Sequence, residues 1–236
     1  AFNLAGNGTS EPDMTKIRNL RKLIWEQTKQ VCCGKSCDVF VSPGVSRCMA
    51  DPQLADTMAD PHKTYRVYAA PRVFAAPACL QQRPHCDVAE RDMLDHAEDL
   101  VRQGLSVAIL NMAAATRPSG GVHSGKGAQE ENLHRRSDAM RFTMNQKKWG
   151  TNYPLDGAVC LLSSGVTIFR GNERDGYPFL EHPFKVTMIS CAALRWPQLA
   201  QDGSNRYTNV WEHRLMDDKI AAIIQAVVES GCEAAV

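Results

Sequence analysis

The chain has 236 residues, of which 44% are hydrophobic and 22% charged, with 27 Lys and Arg against 26 Asp and Glu and a formal net charge of +1. That length supports one sizeable α/β core without staples, and near-neutral charge excludes recognition of nucleic acid or an anionic membrane by bulk electrostatics. A polyanionic ligand must therefore be held by a local site, and no direct DNA binding is expected.

In chain order, residues 1–13 are polar, lack a basic start and read as a flexible leader. Ile17, Leu20, Ile24 and Val31 fall at helical spacing and predict an amphipathic helix over 15–31, an N-terminal helical extension. Residues 32–71 show turn chemistry at Ser42-Pro43-Gly44 without a clear period and are expected to be irregular. Asp87-Val88-Ala89-Glu90 has the form of a capping box, followed by the apolar face Met93, Leu94, Ala97, Leu100 and Val101 and closed by Gly104. Residues 105–110 form a short apolar run, the mark of a buried strand.

Residues 111–127 contain four glycines, two serines and one proline, so they form a loop leaving the carboxyl end of that strand. Ligands bind at that end in open α/β sheets. A helix then begins at Gln129, with Leu133, Met140 and Met144 in register, and strands are predicted over 158–162 and 185–189. The last helix is expected over 217–230 with Ile220, Ile223, Ile224, Val227 and Val228 inward and Gly231 at its end. Helices and buried strands in one chain without a linker predict a single α/β domain over 14–236, a sheet flanked by helices. No run reaches the roughly 18 apolar residues of a membrane span, and no membrane partner is expected.

The nine cysteines are an odd number, and Cys160 and Cys191 lie inside apolar runs where a free thiol packs as a small hydrophobe. This favours a reducing, intracellular compartment, cytoplasmic or nuclear. Neither Cys32-Cys33-x3-Cys37 nor the group Cys79, His85 and Cys86 has a common zinc spacing, so no metal and no cofactor are expected.

The segment that carries chemistry joins Ser119-Gly120-Gly121 to Gln129-Glu130-Glu131. Glycines let backbone amides approach a diphosphate, and carboxylates at a helix start supply proton transfer. Adjacent acids in a first helical turn also arise simply to complement the helix dipole, and a Gly-rich stretch can be no more than a turn. The combination after a buried strand resembles the signature of microbial-type poly(ADP-ribose) glycohydrolases, a glycine triplet followed by Gln-Glu-Glu. The segment Ser164-Gly165-Val166-Thr167-Ile168-Phe169-Arg170 and the stretch Leu180-Glu181-His182-Pro183-Phe184-Lys185 resemble further pieces of that family.

The resemblance implies a macrodomain-like mixed sheet and hydrolysis of the ribose–ribose O-glycosidic bond of poly(ADP-ribose), with Glu131 as general acid/base and Glu130 positioning the ribose. It implies substrate contacts from Asn111, Ser119, Gly120, Gly121, Val122 and Gln129, with ADP-ribose, its polymer and ADP-ribosylated proteins as partners of a monomer. Two neighbouring acids should push one carboxyl pKa upward. Removal of single ADP-ribose groups from proteins, which the same pocket could accommodate, is one alternative, and three departures leave an ADP-ribose-binding module with little turnover as another. Ser119 stands where the triplet has its first glycine, Ala114 where many macrodomains have asparagine, and the chain ends at Val236 before the family's second Gly-rich loop, reading as truncated there. His123 and Lys126 are expected to face water, Arg135 and Arg136 to brace the helix, and Phe169 to pack in the core.

Overall fold

The computed structural model describes residues 13–33, 37–42, 45–49, 64–68, 85–144 and 152–236. Residues 1–12 of the leader and Cys79 lie outside the described residues, as do the side chains of Cys37 and Cys48.

Helix α1 spans Met14–Cys32, capped by Asp13, whose carboxylate accepts from the Thr15 and Lys16 amides. Strands β1 (Cys37–Ser42) and β2 (Val45–Met49) form an antiparallel pair, and β3 covers Thr64–Tyr68. The expectation of irregular chain over 32–71 is corrected there. These are short strands whose partners, each other and the distant Val159, supply a regularity that no local period signals.

Helix α2 (Met93–Arg102) does not start at the Asp87 box: Asp92 caps it, accepting from the amides of Leu94 at 3.0 Å and Asp95 at 3.1 Å. Asp92 wins because its carboxylate also meets the Arg136 guanidinium at 2.8 Å, a tertiary partner that Asp87 lacks among the described residues. Strand β4 (Val107–Met112) runs two residues later than expected.

Helix α3 is Gln129–Arg136 and helix α4 Ala139–Thr143, where one continuous helix was expected. The break is held by Ser137, extended and bridged to Ile168, and by Asp138, which accepts from the Thr167 amide at 2.7 Å. Strands β5 (Val159–Arg170) and β6 (Phe179–Cys191) are much longer than their apolar centres, because their antiparallel ladder continues through bulged register. Helix α5 (Val210–Ser230) starts at the Asn209 cap, seven residues before the expected start at 217, and Ala234–Ala235 form β7.

The main sheet has the order β3-β5-β6-β4-β7, antiparallel across β3, β5 and β6 and parallel across β6, β4 and β7. Val107 and Ile109 of β4 pack with Leu94 and Leu133 on the α2–α3–α4 face, whereas Ala108 and Leu110 pack toward Ala222 and Ala226 of α5. This two-sided burial explains the unbroken apolar run. On α5 the inward residues are Ala222, Ala226, Ile223 and Val227, while Ile220, Ile224 and Val228 remain about half exposed at 46%, 49% and 49%. The expectation that all five apolar residues point inward is corrected: two alanines with no exposure let α5 sit close to the sheet along one narrow stripe. No described helix is long and apolar enough to cross a membrane.

Candidate active site at the start of α3

The carboxyl end of β4, the loop after it and the first turn of α3 meet at one place. Gln129 fastens them together. Its Oε1 accepts from the Met112 amide at 2.7 Å and its amide nitrogen donates to the Leu110 carbonyl. Those are backbone groups of β4 beside the Leu110 amide, which donates to the Val236 carbonyl. The Gln129 carboxamide thus ties the first turn of α3 to the carboxyl end of β4.

Glu130 and Glu131 are 4% and 5% exposed. Each has one oxygen pinned by a loop amide: Glu130 Oε2 accepts from Ala114 at 2.8 Å, and Glu131 Oε1 accepts from Gly121 at 2.7 Å. The other oxygens, Glu130 Oε1 and Glu131 Oε2, are buried without a hydrogen-bond partner among the described residues. An unpaired buried carboxylate oxygen costs free energy, so two side by side point to a site rather than to a structural turn.

Burial pushes the Glu130 carboxyl up to about 7, and the neighbouring Glu131 charge adds to the rise. The Ala114 and Ser119 amides and the Arg117 charge pull against it. One carboxyl of the pair is therefore raised, as the sequence predicted of two adjacent acids.

The glycine turn lies directly on these acids. A Cβ on Gly120 would stand 2.6 Å from Glu131 Oε1 and 2.9 Å from Glu130 Oε2, at a φ of +53°, so only glycine fits. Ser119 has φ 63°, a left-handed conformation that costs on the order of 1 kcal/mol for a residue with a Cβ. Of the turn amides expected to face a diphosphate, Gly121 donates to Glu131 and Val122 to the Ser119 carbonyl at 3.1 Å.

Helix α1 supports the loop from outside. Gly125 backs onto the Arg18 carbonyl and Gly127 onto the Arg21 guanidinium, where any side chain would collide. Arg21 also pairs with Glu173 at 2.7 Å, and Glu173 accepts from the Tyr177 hydroxyl at 2.6 Å. The helical extension is thus part of the site's scaffold.

Arg135 donates to the Lys126 carbonyl and to the Arg21 carbonyl, and Arg136 pairs with Asp92 and Asp95, so both brace α3 as expected. His123 and Lys126 are exposed. Phe169 and Tyr177 are buried to 0% and 1% exposure, and the Phe179 ring is taken up by Phe169 and by Arg170 at 3.8 Å. Asn111 has no exposure and donates to the Ser190 hydroxyl at 3.0 Å, and its carbonyl oxygen has no partner among the described residues.

Sequence reading passed over three neighbours. Tyr153 is buried, its hydroxyl without a partner among the described residues, and its phenol is pushed up by burial and by the Glu130 charge. His134 donates from Nδ1 to the Glu130 carbonyl, and burial lowers it to about 4, so it is neutral. Arg117 supplies the cation nearest in effect to Glu130. Tyr153 stands outside any periodic segment, and a lone His within a helix has no signature, so only proximity reveals them. Among the described residues no cluster of His, Cys, Asp or Glu is arranged to hold a metal.

A family model described as the microbial-type PARG catalytic domain matches residues 45–171, which include the glycine turn and Gln129-Glu130-Glu131. No curated protein matches the chain. Among solved structures, the chain is similar to poly(ADP-ribose) glycohydrolase from Thermomonospora curvata, at 23% identity and TM-score 0.63 over 92% of this chain and 78% of that one. The same enzyme bound to the inhibitor ADP-HPD aligns with a TM-score of 0.60 at 23% identity, over 92% of this chain and 77% of that one. The likeness extends to the mixed sheet between helices.

Proposed function

This chain belongs to the microbial-type poly(ADP-ribose) glycohydrolase catalytic-domain family, and from that premise we propose that it hydrolyses ribose–ribose bonds of poly(ADP-ribose) at Glu130 and Glu131. The observation that carries the reading is the pair of buried carboxylates, each pinned through one oxygen and free at the other.

Cleavage of a glycosidic bond passes through an oxocarbenium-like state. Glu131 gives a proton to the leaving ribose oxygen as the C–O bond breaks, then takes one from the water that bonds to the anomeric carbon. Pinning of Oε1 by Gly121 fixes which oxygen is presented. Glu130 orients the ribose hydroxyls through Oε1, and Asn111 and Gln129 hold the strand end beneath it. The ADP-ribose diphosphate runs over the outer side of the turn at Ser119, Gly120, Gly121 and Val122, with Arg117 and Lys126 as the nearby cations. ADP-ribose, its polymer and ADP-ribosylated proteins are the ligands of this reading.

The rise of Glu130 to about 7 favours a second assignment in which Glu130 holds the proton and Glu131 stabilises the cation. Glu131→Gln and Glu130→Gln separate the two. In the first assignment Glu131→Gln loses release of ADP-ribose by about 10²–10⁴-fold, the range of general acid–base catalysis, with ADP-ribose affinity by calorimetry within a few fold. A Glu131→Gln protein that turns over near the wild-type rate refutes that assignment, and loss only in Glu130→Gln establishes the second.

A further inference from the structure

Strands β5 and β6 bring two cysteines directly opposite each other behind the catalytic loop. Cys160 and Cys191 are Cα partners in the antiparallel ladder. Opposed residues in such a ladder have Cα atoms about 4.5–5.5 Å apart, inside the roughly 4.4–6.8 Å that a disulfide spans. Both are free thiols, packed in one cluster on the α5 face. Cys191 retains 5% exposure and Cys160 has none. The Cys191 carbonyl accepts from the Ala113 amide at 3.0 Å, and the next amide, Ala114, is the one that holds Glu130.

Lys219 of α5 is the third member. It is 4% exposed and donates to the Gly157 carbonyl, and among the described residues no carboxylate pairs with it. A buried ammonium calls for an anion, and its charge acts on both thiols. The hydrogen bond from Cys160 draws the Cys191 thiol down and Lys219 adds to that pull, while the same hydrogen bond pushes Cys160 up.

We propose that Cys160 and Cys191 are a redox pair oxidised by hydroperoxides, with Cys191 as the attacking thiolate, Cys160 as the resolving thiol and Lys219 as the fixed counter-charge. The Cys191 thiolate attacks hydrogen peroxide; the S–O bond forms, the O–O bond breaks, and hydroxide leaves to be protonated to water. The Cys160 sulfur then attacks the sulfenic acid; the S–S bond forms, and the displaced hydroxide leaves as water with the Cys160 proton. Two thiols are oxidised and one peroxide is reduced to two waters. A resolving thiol whose acidity is lowered beside an attacking thiol whose acidity is raised is the division of labour that this exchange needs.

The test uses the reduced, desalted full chain, titrated with hydrogen peroxide, quenched, alkylated under denaturing conditions and mapped by peptide mass. The expected result is joint loss of alkylation at Cys160 and Cys191, a linked peptide lighter by two hydrogens, and recovery with dithiothreitol. Cys160→Ala should leave a dimedone-reactive sulfenic acid at Cys191. Lys219→Met should slow oxidation of Cys191 about three- to fourfold for each unit of acidity lost, because the smaller thiolate fraction is partly offset by a more nucleophilic thiolate, and Lys219→Arg should preserve it. Thermal melts verify that the variants fold, and the wild-type map decides the pairing by itself. The proposal is overturned if both thiols stay alkylatable once the exposed Cys33 and Cys86 are oxidised, if Cys191 pairs with Cys232 instead, or if Lys219→Met oxidises at the wild-type rate. None of these readouts uses glycohydrolase activity, so failure here is distinct from failure of the proposed function.

Discussion

Gly120→Ala tests the site more sharply than any loss of charge. The added methyl would stand 2.6 Å from Glu131 Oε1 and 2.9 Å from Glu130 Oε2, where ordinary contact begins at 3.4 Å. Either the turn or a carboxylate must move by nearly an ångström, and the carboxylates are anchored to Gly121 and Ala114. A left-handed alanine at φ +53° costs about 1–2 kcal/mol, and loss of one charged hydrogen bond about 1.5–3 kcal/mol, roughly 2.5–5 kcal/mol together. At this chain length that corresponds to a fall in Tm on the order of 10 °C. A misplacement near 1 Å costs about 10²-fold in rate, so kcat on poly(ADP-ribose) should drop by about two orders of magnitude. Gly104→Ala is the control, away from the site. Its φ is +88° and nothing lies within 4 Å of the added methyl, so it carries the backbone strain without touching a carboxylate. Kinetics and calorimetry on both variants decide it. A Gly120→Ala enzyme within threefold of wild type in kcat, with unchanged Tm, would show that the turn does not press on the carboxylates and the reasoning fails.

Glu130→Gln should flatten the pH dependence of stability. The Glu130 carboxyl stands at about 7 in the fold against an ordinary 4.5, so its contribution is complete below pH 4.5 and is lost as pH rises to about 7. The loss amounts to about 3 kcal/mol, and equal slopes of wild type and variant in denaturant melts across that window would refute it. Arg136→Ala breaks a guanidinium that is 3% exposed away from Asp92 and Asp95, and should destabilise by about 3–5 kcal/mol in urea; a loss under 1 kcal/mol would mean that α2 and α3 do not depend on the pair. Ser119→Gly relieves the positive φ at 63° but loosens the unfolded chain, so the net gain should be no more than about 1 kcal/mol, and a lower Tm would show that the serine side chain contributes more than its strain.

The sequence by itself determined what depends on neighbours along the chain. Apolar spacing placed a helix over 15–31 where α1 spans Met14–Cys32, and an apolar run predicted β4 to within two residues. The glycine turn and Gln129-Glu130-Glu131 were legible because their residue types are rare in combination, and the structure sets them against each other at hydrogen-bond distance.

What only tertiary structure decided was each choice settled by a distant partner. Asp92 rather than Asp87 caps α2 because Arg136 reaches it from α3. The break after Arg136 exists because Ser137 and Asp138 pair with β5, which no helical period records. Ile220, Ile224 and Val228 remain half exposed, because Ala222 and Ala226 define the line on which α5 meets the sheet. The acidity of Glu130 was decided in the same way. Two adjacent acids predict a raised carboxyl, but the largest cause of the rise at Glu130 is burial, and burial is a property of the assembled chain.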